Sequence, residues 1–156
     1  MEDEAGQPRR TWIFQGNPNK YRLEDSLTTE QEEYWNLNQH AKSVRCGDRV
    51  LIWISGDAAG IYAIGRVMTN PQIQSDSPIG LNYWNNRADG LKPKARVLVR
   101  YERLLFHQPL RKAYFQADPD LWDMTILHAP RATNFSVTAD EWRAIRTWLD
   151  ENPDDG

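Results

Sequence analysis

The chain has 156 residues, room for one domain and little of a second. Its 19 Lys+Arg against 22 Asp+Glu leave a net charge of −3, which argues against a protein that coats nucleic acid by bulk charge. A single cysteine, Cys46, excludes an internal disulfide and fits a reducing compartment.

Residues 1–10 read as a disordered tail, 11–151 as the domain and 152–156 as a second tail. The start, MEDEAGQPRR, has no apolar stretch of the kind a signal peptide needs. No run of about eighteen apolar residues is present, so no membrane span is expected. A cytoplasmic protein follows from these points.

Thr11–Gln15 is an apolar run and the first predicted strand. Gly16-Asn17-Pro18-Asn19 is a dense turn signal. A helix is predicted from Leu23, with Leu27 at i+4 and two capping-box spellings at Thr28 and Thr29, ending near Tyr34. Trp35–Asn38 reads as a short strand or an exposed elbow, followed by a brief helix at about 38–44. Arg49–Ser55 and Ile61–Met68 form a β-hairpin around Gly56–Gly60, with Gly65 marking a bulge. Asn70–Gly90 is long and irregular but holds Ile73, Ile79, Leu81, Tyr83 and Trp84, which reads as a packed lid or pocket wall. Ala95–Phe106 alternates as a strand. Gln108–Ala117 holds a short helix or turn, and 119–127 one or two helical turns capped by Asp118. The last helix opens on a Thr138/Glu141 capping box with a Val137–Trp142 staple and presents Trp142, Ile145 and Leu149 as one stripe. The fold class is α+β: a small, mainly antiparallel, curved sheet, partly closed into a barrel with peripheral helices.

The search for catalytic chemistry is short. His40, His107 and His128 lie far apart, and no metal-binding, nucleophile-elbow or phosphate-loop spacing occurs. Cys46 reads as a small turn residue. The paired acids Glu32-Glu33 and Asp154-Asp155 read as solvated faces. No metal, cofactor or enzymatic activity is expected. Charge is uneven, however. Residues 87–112 carry eight basic residues against two acidic, including Arg87, Lys92 and Lys94, while 113–156 carry nine acidic against three basic. The basic segment suits a phosphate backbone or, equally, a solvated strand face.

A planar ligand such as a nucleobase needs aromatic walls, a few fixed amides or hydroxyls for its edge and cations at the mouth. Trp35 sits among Asn36 and Asn38, and Trp84 sits in the long loop. Asn17 and Asn19 follow the first strand, and Ser55 ends the central one. The competing reading has Trp35 and Trp84 plugging the ends of a small barrel.

Five pieces in order over residues 12–69 carry a resemblance. They are Trp12–Pro18, Trp35–Gln39, Gly47–Gly56, Ala59–Val67 and Pro71 just beyond. Together they resemble the EVE domain, a PUA-like fold related to YTH and ASCH domains, in the form found with methylation-dependent restriction systems. Residues 70–156 match more loosely. The resemblance implies a curved barrel whose pocket takes one flipped, modified base. That base would be 5-methylcytosine or 5-hydroxymethylcytosine in DNA, or N6-methyladenine in RNA as the alternative. A further alternative is an enzyme acting on a small nucleoside-like metabolite. Carried over by position, Trp35 resembles the first aromatic wall and Trp84 the second. Asn36 and Leu37 would meet the base edge, Trp53 and Ser55 would line the pocket, and Asn17 and Asn19 would reach in from the first loop. The implied partner is DNA with modified bases, with a nuclease or other effector downstream. Where many family members carry tyrosine or phenylalanine and His-Ser, this chain has Trp53-Ile54-Ser55.

Overall fold

Strand parity sorts the apolar side chains of this protein onto two faces. In the computed structural model, which describes residues 10–129 and 131–153, the first strand is β1 (Thr11–Gly16) and the central hairpin is β3 (Arg49–Ile54) with β4 (Gly60–Val67). Ile13, Leu51 and Trp53 point to one core with Phe115, Ile126, Ile145 and Leu149. Trp12, Phe14, Val50 and Ile52 point to the other, with Leu23, Leu27, Val97 and Val99.

The remaining strands are β2 (Glu32–Asn36), β5 (Gln72–Gln74), β6 (Lys94–Leu104), β7 (Leu110–Arg111) and β8 (Asn134–Val137). The sheet runs β2-β6-β4-β3-β1-β8, with β5 on β6 and β7 on β4. The β1–β3 pair is parallel, and the other pairs are antiparallel. Between Ile64 and Gly65 the β4–β6 register shifts. A Cβ on Gly65 would lie 2.4 Å from the Arg100 carbonyl oxygen, so only glycine admits that approach.

Six helices lie around the sheet among the described residues: α1 (Leu23–Thr29), α2 (Pro78–Leu81), α3 (Arg87–Leu91), α4 (Lys112–Ala117), α5 (Thr125–His128) and α6 (Ala139–Glu151). The α6 capping box forms as the spelling predicts, with Thr138 and Glu141 bonded reciprocally. The curved, partly closed barrel with peripheral helices is the architecture expected.

Several element boundaries differ from expectation. Helix α1 stops at Thr29, and residues 32–36 form a strand. The Thr28 hydroxyl donates back to the Glu24 carbonyl at 2.7 Å, and two β-branched threonines end the run. Pairing with β6 then satisfies the backbone of β2. The stretch at 38–44 is a turn, not a helix, because His40 takes a left-handed φ of 61°. Asp118 does not cap a helix at Pro119. Its carboxylate accepts the Asp120 N–H at 2.7 Å in a local turn, and α5 starts only at Thr125. Strand β8 goes unread in the sequence. Of the expected tails, 1–9 and 154–156 lie outside the described residues, whereas Asn152 caps α6. Among the described residues no helix is long and apolar enough to cross a membrane.

Candidate functional site

A cavity of about 510 Å³ opens at one end of the sheet. It is lined from β2 by Glu33, Trp35 and Asn36, and from the turn after β1 by Asn17 and Tyr21. Trp84 closes it from the 70–90 segment, and Ser55 and Thr133 reach it from the ends of other strands. Lys20, Lys92, Lys94 and Arg131 also line it. Its size is that of a small-molecule site.

Trp35 is held by a relay. Its indole N–H donates to the Tyr101 hydroxyl at 2.8 Å, and that hydroxyl donates to Glu33 Oε2. Glu33 Oε2 also accepts the Ser26 hydroxyl at 3.1 Å, and Oε1 accepts the Tyr21 hydroxyl at 2.8 Å. Burial pushes the Glu33 carboxyl above its ordinary value, against the pull of these three hydroxyls. Burial and the neighbouring Glu33 push the Tyr21 and Tyr101 phenols up, so both stay protonated donors.

Trp84 is fixed from the other side. Its N–H donates to Asp76 Oδ2 at 2.7 Å. Asp76 also accepts the Ser77 N–H at 2.8 Å, and burial pushes its carboxyl up. The ring of Tyr21 meets Trp84 edge-on, with centroids 5.0 Å apart. Gly90 packs beneath the indole, where a Cβ would lie 2.5 Å from Trp84 Cδ1. Arg96 is buried and binds the Lys92 carbonyl at 2.9 Å and the Gln74 carbonyl, tying the segment to β6. The stretch is therefore a packed wall at Leu81 and Trp84, whereas Ile73 and Ile79, also expected to pack, are exposed.

Among the described residues no group of three His, Cys, Asp or Glu side chains is placed to hold a metal. The cavity offers aromatic faces, amide and hydroxyl groups, one buried carboxyl and a cationic margin. That combination is chemically suited to a flat, polar-edged ligand attached to an anion.

The family model described as EVE domain matches residues 10–148. The chain belongs to the EVE domain family. Solved structures share the fold of this EVE domain at low identity. A hypothetical protein from Leishmania major is 18% identical, with 92% of this chain and 96% of that chain covered at a TM-score of 0.70. A Rhodopseudomonas palustris protein is 20% identical, with coverages of 93% and 96% and a TM-score of 0.67. Human THYN1, solved in complex with DNA containing 5-methylcytosine, is 13% identical, with coverages of 92% and 99% and a TM-score of 0.69. No curated protein gives a significant match.

The EVE domain brings together Asn17, Trp35, Asn36, Ser55, Trp84, Lys92 and Lys94 around one cavity. Four other expected residues lie elsewhere. Trp53 is 2% exposed and packs on Phe115 at 5.4 Å, on the opposite face of β3. Its parity with Leu51 decides this. Leu37 is buried in the core with Trp12 and Phe14. Asn19 is exposed, its N–H bonded to Asn17 Oδ1 at 2.9 Å. Arg87 is exposed at the start of α3. Of the other basic residues in 87–112, Arg96 is internal and Arg100 pairs with Glu32 at 3.1 Å. Glu33 is the residue the sequence reading misses most plainly, because it stands in a strand rather than on a solvated helix face. The shared parity of Glu33 and Trp35 on β2 is the signal that would have found it. Lys20, Tyr21, Arg131 and Thr133 carry no local signal, since they converge only through the fold.

Proposed function

We propose that this EVE domain reads a single modified base in nucleic acid, 5-methylcytosine or 5-hydroxymethylcytosine in DNA, rotated out of the helix into the cavity. One observation carries the reading: two indoles, Trp35 and Trp84, line the same cavity, each anchored through its N–H to a group behind it. Anchored rings are ready to stack without first losing rotamer freedom, and a stacked base gains about 1–3 kcal/mol. That gain offsets the few kcal/mol of unstacking that extrusion costs. The amides of Asn17 and Asn36 and the Ser55 hydroxyl meet the base edge, and Lys20, Lys92, Lys94 and Arg131 meet the flanking phosphates. The THYN1 complex with methylcytosine DNA supports the same class of partner. The reading is of a binding module, the kind of role that the THYN1–DNA complex supports.

One buried methyl contributes about 0.8 kcal/mol, roughly fourfold in affinity, so the preference for modified over plain DNA is modest. Calorimetric titration of methylated and unmethylated oligonucleotides tests the pocket. Trp35→Ala should abolish the preference while leaving the melting transition cooperative. An undiminished preference in that variant would remove Trp35 from the pocket. At raised salt, affinity should fall with a slope that counts only a few phosphates.

A further inference from the structure

Thymine poses a problem for any pocket that recognises 5-methylcytosine. It carries the same methyl group on a ring of the same shape, and it is present throughout DNA. The two differ at position 4, where 5-methylcytosine has an amino donor and thymine a carbonyl acceptor. A pocket that measures only ring and methyl accepts both. The amide of Asn36 does not resolve this, because it has a donor and an acceptor and turns either one to the ligand, and Asn17 keeps its Oδ1 on the Asn19 N–H at 2.9 Å.

Glu33 is different in kind. In its ionised form the carboxylate only accepts, and has about four lone-pair positions. Burial favours the protonated form, so binding is compared at a pH high enough to ionise it. The Tyr101 hydroxyl donates to Oε2 and the Tyr21 hydroxyl to Oε1 at 2.8 Å, while the single Ser26 proton is shared between Oε2 at 3.1 Å and the Leu23 carbonyl at 3.2 Å. One position on Oε1 is left. Tyr21, its partner there, lines the cavity together with Glu33, whereas Ser26 and Tyr101 stand behind them. Oε1 thus shares its partner Tyr21 with the cavity lining, and the open acceptor is assigned to that oxygen. Asp89, the other acid on the cavity, is occupied by Lys92 at 3.8 Å.

We infer that Glu33 is the specificity residue of the cavity, its Oε1 accepting the exocyclic amino group of the bound base and repelling a carbonyl at the same place. The ligand class is thereby narrowed to amino-bearing bases, cytosine derivatives and adenine derivatives, against thymine and uracil. This rests on the base-reading function proposed above and adds the group that makes it selective.

The test uses the whole chain and duplexes identical except for one target base, each placed opposite an abasic site so that unpairing costs the same. The targets are 5-methylcytosine, cytosine, thymine and 5-methylpyrimidin-2-one, which keeps the methyl but has hydrogen at position 4. The wild-type protein should bind 5-methylcytosine about tenfold or more tighter than thymine or the pyrimidinone. In Glu33→Gln, which replaces one acceptor oxygen with a donor NH2, that ratio should shrink to about threefold or less. If Glu33→Gln does not fold, the comparison of 5-methylcytosine with the pyrimidinone on the wild type carries the test. Equal binding of 5-methylcytosine and thymine by the wild type, or an unchanged ratio in Glu33→Gln, overturns the inference. Cytosine bound as tightly as 5-methylcytosine, with both above thymine, upholds Glu33 and removes the modification reading instead. Binding of none of the four overturns both.

Discussion

Glu33 also couples the cavity to stability. Its carboxyl is raised above its ordinary value because burial disfavours the charged form. The folded chain therefore holds that proton more tightly than the unfolded chain does. The resulting stabilisation is fully present below the unfolded value and is lost as pH rises through the raised folded one. Asp76, raised by burial behind Trp84, has the same sign. Glu33→Gln removes one of the two titrations. Melting temperatures of wild type and Glu33→Gln, compared from about pH 4 to about pH 7, should shift steadily in favour of the variant as pH increases. A gap that stays constant across that range would mean that Glu33 titrates alike in the folded and unfolded chains.

At the scale of elements, local chemistry fixes some ends firmly and others hardly at all. The N-terminus of α6 is fixed by Thr138, whose hydroxyl accepts the Glu141 N–H at 3.1 Å while the Glu141 carboxylate accepts the Thr138 N–H at 2.9 Å. Trp142 then packs against the core, with the Arg49 guanidinium 3.9 Å from its ring centroid. Thr138→Ala should cost about 1 kcal/mol, seen as a melting point lower by about 2–4 °C. An unchanged melting point would show that packing of the Trp142, Ile145 and Leu149 stripe suffices without the cap. The same spelling at Thr28 and Thr29 starts no helix, because the following residues gain more as strand β2 against β6. A capping box is a weak local preference. It decides the outcome only where the tertiary alternative is not better, and at α6 no pairing competes.

The whole molecule closes through side chains. Strands β2 and β8 stand at opposite ends of the sheet order, yet two amides bridge them. Asn134, 2% exposed, accepts the Asn38 N–H at 2.9 Å and donates to the Asn36 carbonyl at 3.1 Å. Gln39 accepts the N–H groups of Thr133 and Asn134 at 2.9 and 3.0 Å. The cavity spans this seam, with Trp35, Asn36 and Asn38 on one bank and Arg131 and Thr133 on the other. Asn134→Ala strands buried backbone groups, so it should destabilise the fold by about 2 kcal/mol or more. It should also speed hydrogen exchange at residues 36–39 and weaken oligonucleotide binding. Exchange at those amides that matches the wild type would place the closure elsewhere.

Much of this was legible in the residues. The β-branched and aromatic run Arg49–Ser55 with its return strand, the bulge at Gly65 and the capped last helix are properties of short segments, where periodicity and turn chemistry act directly. Trp35 and Trp84 stood out because tryptophan among asparagines is a poor core residue. Trp53, Leu37 and Glu33 could not be placed that way. A single-residue change of register exchanges inside for outside along a strand, and register is set by partners far off in the chain. The margin of the cavity is likewise a tertiary fact. Lys20, Lys92 and Arg131 come from three distant turns, and only closure of the sheet through Asn134 and Gln39 brings them round one opening. Period and turn chemistry thus determined the central hairpin and the last helix, and the ordered motif pieces carried the family resemblance, while the convergence of polar groups that gives the cavity its chemistry was decided by long-range pairing, which no local pattern encodes.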